Sequence, residues 1–161
     1  MLCKNTVDFI AIAETKLDNS FPNSQFKVQN YELHRSDFTA NSGGLLVHIR
    51  DDLAHRRLIS FEVNSGGFES ICIEITIGTS KTVITSLYKH PYVKHDYFKK
   101  CFSDLTDRLL ANYEDLIYIF DGNLGRVHFR GPPFQIRLIS FTLTFMLHGI
   151  VQTYIRFVFY H

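Results

Sequence analysis

The sequence predicts an α/β fold in which an amphipathic helix packs on a β-sheet. Two observations predict it: apolar segments of strand length are separated by turn residues, and one later segment has helical periodicity. The 161 residues suffice for one domain, and contents of 45% hydrophobic and 20% charged residues are typical of a globular protein. The net charge of +1 provides no general attraction to nucleic acid, so such a role requires a local site.

Five segments have the length and composition of β-strands. They are residues 7–13, 45–49, 69–77, 82–88 and 116–120. The third segment alternates, with Ile71, Ile73 and Ile75 on one face, and the turn at 78–80 joins it to the fourth segment as a hairpin. Residues 95–112 are predicted to be helical, because apolar side chains recur every three or four positions. This order of elements predicts a sheet covered by a helix.

The cysteine pattern excludes two common frameworks. Cys3, Cys72 and Cys101 are odd in number and widely spaced, so neither a disulfide scaffold nor a structural zinc motif is predicted. The first residues lack the basic start and long apolar run of a signal peptide. We therefore expect an intracellular protein, in the nucleus or the cytoplasm.

The composition changes near residue 125. Residues 1–125 carry all 16 acidic groups and 13 basic groups, whereas residues 126–161 carry four Arg and no acidic residue. The second segment also holds six of the 15 Phe residues. We expect residues 1–125 to form a partial domain, and residues 126–161 to be an aromatic, acid-free tail that is not a native part of it.

Three interpretations of the tail are open. Residues 138–155 contain no Asp, Glu, Lys or Arg and reach the lower limit of a membrane span, although six polar residues weaken insertion. A buried apolar segment, as a lone helix or a strand, is the second interpretation. The favoured one is that the tail follows a frameshift or an incorrectly assigned exon, since its composition differs from that of the preceding domain.

Two acidic residues, Glu14 and Asp121, directly follow predicted buried strands. Catalytic groups collect at strand ends, where a rigid sheet holds them and loops leave them open. A carboxylate in this place can equally cap a loop or form a surface ion pair, and Asp-Gly-Asn at 121–123 is also good turn chemistry. The spacing alone does not separate these interpretations.

The residues around these acids resemble a known family. Ala-Ile-Ala-Glu-Thr-Lys-Leu-Asp at 11–18 resembles the Glu-Thr motif of the endonuclease/exonuclease/phosphatase superfamily, and more closely that of the apurinic-endonuclease-like domain of non-LTR retrotransposons. Ser-Gly-Gly-Leu-Leu-Val-His-Ile-Arg at 42–50 resembles the Gly-Gly strand of that family. Ser-Leu-Tyr-Lys-His-Pro at 86–91 and Asp-Leu-Ile-Tyr-Ile-Phe-Asp-Gly-Asn at 115–123 are similar to its Tyr-Arg-Pro-Pro and Gly-Asp-Phe-Asn motifs. The four landmarks occur in the family's order over residues 6–124.

The resemblance implies an α/β fold built as a partial two-sheet β-sandwich with flanking helices, and metal-assisted hydrolysis of a DNA phosphodiester. By resemblance, Glu14 would bind Mg²⁺ and Asp121 would orient or deprotonate the attacking water. Asn123 would help to position that water, and Tyr88 would contact the scissile phosphate. The carboxylates of Glu14 and Asp121 should therefore lie close together at one edge of the sheet, with Tyr88 and Asn123 beside them. From the residues alone, Tyr88 is equally well a packed aromatic at a strand end.

The departures from the family predict a remnant without catalytic activity, in which Mg²⁺ binding is weak or absent and no small-molecule cofactor is expected. The family's first strand carries an Asn that would precede residue 1, and its second half carries further Asp residues and a Ser-Asp-His motif that 126–161 do not contain. His128 and His148 lack the preceding Ser-Asp, and Lys89-His90 replaces the usual Arg-Pro. The alternatives are a phosphatase of the same superfamily, and a non-catalytic interaction or membrane-attached protein that uses the tail.

Two further basic positions are assigned structural roles. His48 alternates with apolar neighbours and is expected on the surface of its strand. His55-Arg56-Arg57 is expected to be a solvated basic turn, with contact to DNA phosphate as the alternative.

The composition break generates a first test. If residues 126–161 are foreign to the domain, limited proteolysis should cleave them well before residues 6–124, because a segment without its own packed core opens locally at low cost. Mass spectrometry of the fragments locates the cuts. Equal resistance of both segments in a soluble monomer contradicts the truncation hypothesis.

Overall fold

Two β-sheets face each other, and one α-helix covers the outer face of the second sheet. The computed structural model describes residues 7–120 and, as strand backbone, residues 135–140, 144–147 and 150–157. The strands in chain order are β1 (Phe9–Ala13), β2 (Tyr31–Ser36), β3 (Leu45–Arg50), β4 (His55–Arg57), β5 (Asn64–Ser65), β6 (Phe68–Ile77), β7 (Ser80–Lys89), β8 (Asp115–Phe120), β9 (Gln135–Ser140), β10 (Thr144–Leu147) and β11 (Ile150–Phe157). Helix α1 is His95–Leu110, and short 3-10 helices lie at Asn23–Gln25 and Ile59–Phe61. The five predicted strands and the predicted helix are confirmed.

The first sheet is antiparallel, with the strand order β10-β11-β1-β3-β2. Strand β1 is central and pairs with β3 on one side and β11 on the other. Its apolar residues alternate in burial, because successive side chains of a strand point to opposite faces. Because β1 lies between two neighbouring strands, its end at Ala13 is fixed within the sheet. The residues that follow Ala13 therefore start from a rigid position.

The second sheet has the order β4-β6-β7-β8-β9, and β5 pairs with β6. The predicted β6–β7 hairpin is confirmed: Ile77 pairs with Ser80 around a two-residue turn that begins at Gly78, whose φ of +62° suits glycine. Strands β7 and β8 are parallel, which requires a crossover, and α1 supplies it. Leu87 pairs with Phe120, so β7 and β8 end side by side.

The main core lies between the two sheets. Its residues alternate along each strand, as the two-residue period of a strand requires. The first sheet contributes Phe9, Ala11, Ala13, Leu45, Val47 and Ile49. The second contributes Ile71, Ile73, Ile75, Ile84, Tyr88, Ile117 and Ile119. The predicted inward face of β6 is therefore confirmed.

A second core lies between the other face of the second sheet and α1. The helix inserts its predicted apolar stripe, Phe98, Phe102, Leu105 and Leu109. The sheet presents Phe68, Cys72, Val83, Leu87, Leu116, Tyr118 and Phe120. Tyr118 is fully buried here, and its hydroxyl donates a hydrogen bond to Thr106 Oγ1 at 2.9 Å. The fold is thus a three-layer α/β structure, a two-sheet sandwich with a helix on its outer side.

Residues 7–120 alone supply strands to both sheets. Residues 7–120 contribute three strands to the first sheet and five to the second, because the β6–β7 hairpin is apolar on both faces and starts the second sheet itself. The described tail segments are extended: β9 pairs with β8, and β11 pairs with β1. Whether the tail is native to the domain stays a prediction.

The membrane interpretation of residues 138–155 included a helical span. Among the described residues, no helix has both the length and the apolar character that a membrane span requires.

Two expectations about histidines are wrong. His48 is 7% exposed, because β3 lies between β1 and β2 and the Tyr31 ring packs edge-on against the imidazole. His55–Arg57 forms strand β4 on the edge of the second sheet rather than a turn. Its cations have protein partners, since Arg57 Nε donates to Glu62 Oε1 at 2.8 Å and Arg56 Nη2 donates to Glu74 Oε2 at 2.7 Å.

The helix–sheet core generates a stability prediction. Leu105→Ala should lower the free energy of unfolding by about 2–5 kcal/mol, because the fully buried leucine leaves a cavity that the sheet cannot fill. Its exposed neighbour provides the control, and Asp104→Ala should change the free energy of unfolding by less than about 0.5 kcal/mol. Urea unfolding followed by circular dichroism measures both. Equal changes in the free energy of unfolding for the two variants would mean that α1 does not pack on the sheet.

Candidate functional site

The chain turns sharply after β1 and is held against the segment that leads into β3. Glu14 and Lys16 have positive φ angles of 56° and 53°, a region that costs energy for residues with a side chain. Two backbone hydrogen bonds hold this conformation: Thr15 N donates to Gly44 O at 3.3 Å, and Lys16 N donates to Gly43 O at 2.9 Å. The bend ends the regular path of β1 at Glu14.

The two glycines permit this close approach. Gly43 and Gly44 have φ angles of +72° and +90°, and a Cβ at Gly44 would overlap the Thr15 hydroxyl. A Cβ at Gly43 would overlap the Glu69 carboxylate and would lie 2.6 Å from Cε1 of His90. The Gly-Gly pair therefore lets backbone from the first sheet reach side chains of the second.

Tyr88 joins the two sheets at the site. Its hydroxyl donates a hydrogen bond to Glu14 Oε1 at 2.7 Å, although the two residues are 74 positions apart. Tyr88 lies near the end of β7 and is 3% exposed, and Glu14 is half-buried. This contact brings together two of the residues that sequence reasoning selected.

A buried Glu–His pair lies beside Tyr88. Nε2 of His90 and Oε1 of Glu69 are 2.5 Å apart in a hydrogen bond, and each residue is 1% exposed. Gly44 N donates to Glu69 Oε2 at 3.0 Å. Burial raises the pKa of Glu69 above its usual value, and the hydrogen bonds from His90 and Gly44 oppose that shift. The His90 ring packs against Tyr88, with ring centroids 4.8 Å apart.

Sequence reasoning missed Glu69 and treated His90 only as a departure from a motif. Glu69 pairs with Tyr88 across β6 and β7, a register that local periodicity does not reveal. The one available signal was the position of His90 two residues after Tyr88, within the landmark at 86–91. A histidine there is close enough in sequence to share its environment with Tyr88.

Asp121 and Asn123 lie outside the described residues. The last described residue of β8 is Phe120, which pairs with Leu87, the neighbour of Tyr88. The hypothesis that the carboxylates of Glu14 and Asp121 lie close together at this edge therefore stays a prediction.

The donor set fits Mg²⁺ at Glu14 better than at Glu69. Mg²⁺ is held by one or two carboxylates together with waters and phosphate oxygens. Among the described residues, Glu14 accepts a hydrogen bond on Oε1 alone, and it is half-buried, so its carboxylate is accessible to an ion. Glu69 is buried and uses both oxygens for Gly44 and His90, which leaves it a structural role.

Comparison with known proteins finds a likeness among solved structures. No protein-family model matches the sequence, and no curated protein matches it. Among solved structures, the chain is similar to a humanized TDP2 of D. rerio carrying 14 mutations, with 14% identity and a TM-score of 0.47. The match covers 70% of this chain and 50% of the other, so this chain spans about half the length of that protein. A likeness at this level concerns the path of the chain and transfers no residue role.

The raised pKa of Glu69 predicts a pH dependence of stability. The unfolded chain releases the Glu69 proton at a pH of about 4.3, whereas the folded protein keeps this proton to a higher pH. The free energy of unfolding should therefore fall as pH rises from that value through the raised pKa of Glu69. Glu69→Gln keeps the side-chain shape and an oxygen that can accept from Gly44, but removes the titration. Urea unfolding at several pH values from about 4 to 8 should therefore show a flatter profile for Glu69→Gln.

Asp104→Asn, at an exposed helix position, is the matched control and should follow the wild-type profile. A constant difference in the free energy of unfolding between wild type and Glu69→Gln across this range would contradict the assignment of a raised Glu69 pKa.

Proposed function

We propose that this chain is a remnant of a Mg²⁺-dependent phosphodiesterase, derived from the DNA endonuclease domain of a non-LTR retrotransposon, that binds the metal but does not cut DNA. The observation that carries this proposal is the hydrogen bond between Tyr88 and Glu14. The resemblance assigns these residues to metal and phosphate binding, and they meet across the edge of the two sheets.

Three of the four landmark segments support the proposal by their mutual contacts. The Glu-Thr segment contacts the Gly-Gly segment through the Thr15–Gly44 backbone hydrogen bond. The Gly-Gly segment contacts Glu69 through the Gly44 amide, and Glu69 binds His90 of the tyrosine segment. Three of the landmark segments thus converge at one edge of the sandwich.

The residues present would act as follows. Bound Mg²⁺ would neutralise charge on a phosphate oxygen as a Lewis acid. The Glu14 carboxylate would hold the ion, and the Tyr88 hydroxyl fixes the orientation of that carboxylate through its hydrogen bond. In the Glu69–His90 pair, the His90 ring packs against the Tyr88 ring, and Glu69 accepts a hydrogen bond from the Gly44 amide. In this assignment Glu14 is a metal ligand, while Tyr88, Glu69 and His90 are positioning residues.

The absence of catalysis is proposed from the residues that follow β8. Residues 122–161 contain no Asp or Glu, whereas the family pattern places further Asp residues and a Ser-Asp-His motif in that part of the domain. Losing one member of a catalytic constellation costs about 10² to 10⁴-fold, and groups that act together are lost together. Lys89, which replaces the family's Arg, lies with Nζ 3.4 Å from the carbonyl oxygens of His90 and Val93, and so binds the loop.

Plasmid nicking and metal binding together test the proposal. With Mg²⁺ and supercoiled plasmid, wild type and Glu14→Ala should nick at the same background rate, as gel electrophoresis measures. In contrast, Mn²⁺ affinity, measured by electron paramagnetic resonance of the free ion, should fall at least about tenfold in Glu14→Gln, because the ion loses its carboxylate.

Asp104→Asn is the control for both measurements, since it removes an exposed carboxylate from the helix. Nicking that requires Mg²⁺, disappears in Glu14→Ala and persists in Asp104→Asn would show an active endonuclease and overturn the proposed inactivity. Equal Mn²⁺ affinity of wild type and Glu14→Gln would overturn the metal-site assignment.

A further inference from the structure

We propose a second metal site, formed by Glu32, His34 and His55, that binds a divalent transition-metal ion of the Zn²⁺ class and links the edges of the two sheets. One ligand atom from each of these residues lies within 4.8 Å of the others. The cluster shares no residue with the Glu14–Tyr88 site, so the inference does not depend on the proposed function.

The fold brings these residues together from two different sheets. Glu32 and His34 are two positions apart on β2, the edge strand of the first sheet, and therefore point to the same face. His55 begins β4, the edge strand of the second sheet. The same edges also approach through Arg57, whose Nη1 donates to Arg35 O at 2.9 Å. The cluster is thus a junction between the two layers.

The three ligand atoms lie within 4.8 Å of one another, so a shared ion requires them to draw together. Oxygens of Glu32 lie 3.1 Å from His55 Nε2 and 3.5 Å from His34 Nε2. Ligand atoms about 2.0–2.1 Å from a tetrahedral zinc are separated by about 3.3 Å. The two imidazole rings are nearly perpendicular, with centroids 5.6 Å apart, so they do not stack and can both turn a nitrogen to a common point.

The hydrogen bonds of His55 prepare it for ligation. Its Nδ1 lies 2.7 Å from the carbonyl oxygen of Leu53, which can only accept, so Nδ1 carries a proton and donates. His55 Nε2 is the ring nitrogen that faces the Glu32 carboxylate. At this distance of 3.1 Å, either a proton on Nε2 or a metal ion between the two atoms balances the carboxylate charge. Metal-bound histidines commonly donate their other ring nitrogen to a backbone carbonyl in this way.

His34 supplies the second, independent indication of a ligand. Its Nε2 is buried and has no hydrogen-bond partner among the described residues, and its side chain is 10% exposed. A buried polar nitrogen without a partner is costly, and its presence calls for an explanation such as a bound ion.

The ligand types select the class of ion. Two imidazoles and one carboxylate suit Zn²⁺ and its neighbours in the transition series, whereas Mg²⁺ and Ca²⁺ prefer oxygen ligands alone. Arg57 adds little local positive charge to repel the ion, because Glu62 binds its guanidinium. Three protein ligands leave a fourth position for water. Binding to the folded state alone would raise stability in proportion to the logarithm of the free ion concentration.

Zinc titration of the full chain tests the site. Protein stripped with a chelator is titrated with ZnCl₂ by calorimetry, and thermal unfolding is followed with and without the ion. Wild type should bind one Zn²⁺ here and melt at a higher temperature with Zn²⁺ than without it, while MgCl₂ should cause no such rise through this site. His55→Gln should weaken Zn²⁺ binding by at least about 100-fold, since losing a ligand exceeds the 10–100-fold effect of losing its outer partner.

Glu32→Gln is the variant that should leave folding undisturbed, because the Glu32 side chain is 55% exposed and the substitution preserves its shape. It should also lose the Zn²⁺-dependent rise in melting temperature. His95→Gln, an exposed histidine at the start of α1, and Glu14→Gln should both keep it. Unchanged Zn²⁺ affinity in His55→Gln and Glu32→Gln, or no Zn²⁺ binding by folded wild type, would overturn the second metal site without affecting the first.

Discussion

The need to cover both faces of the β6–β7 hairpin governs this structure. Its inward face is made of isoleucines, and its outward face carries Phe68, Cys72, Val83 and Leu87. A strand that is apolar on both sides is stable only between two layers, because each exposed face would forfeit its hydrophobic burial. The first sheet covers one face and α1 covers the other.

The same layering explains why polar chemistry concentrates at the edges. Buried polar groups must find partners, so carboxylates and histidines accumulate where the sheets end and backbone donors become available. Glu69 illustrates this: it lies within the sandwich, and a glycine amide and a histidine ring satisfy its oxygens. The glycine pair makes this possible, since any larger residue would keep the two sheets apart at this point.

Two junctions thus hold the layers together, and their chemistry differs. One joins Glu14 to Tyr88 and contains mainly oxygen donors, which are suited to hard ions and phosphate-bearing ligands. The other joins β2 to β4 and contains two imidazoles, which are suited to softer ions. Because the two ligand sets favour different ions, the two proposed sites can be tested separately. A loss of metal binding at one site then leaves the test of the other site valid.

Local patterns in the sequence determined the elements of this fold. The alternation of Ile71, Ile73 and Ile75 and the helical spacing of Phe98, Phe102 and Leu105 each encode which face is buried, so the strands, the hairpin and the helix were predictable. The pairing of Glu14 with Tyr88 was implied only through family resemblance. Periodicity describes one element at a time and carries no information on which elements meet.

The tertiary structure alone decided the rest. The Glu69–His90 pair depends on the register of β6 against β7, and the Glu32–His34–His55 cluster depends on the approach of two sheet edges. The burial of His48 followed from the strands that flank β3, and the extended tail segments joined edges that only the assembled sheets present. In each case the deciding interaction links residues far apart in the chain, and its strength depends on distances that only the folded molecule defines.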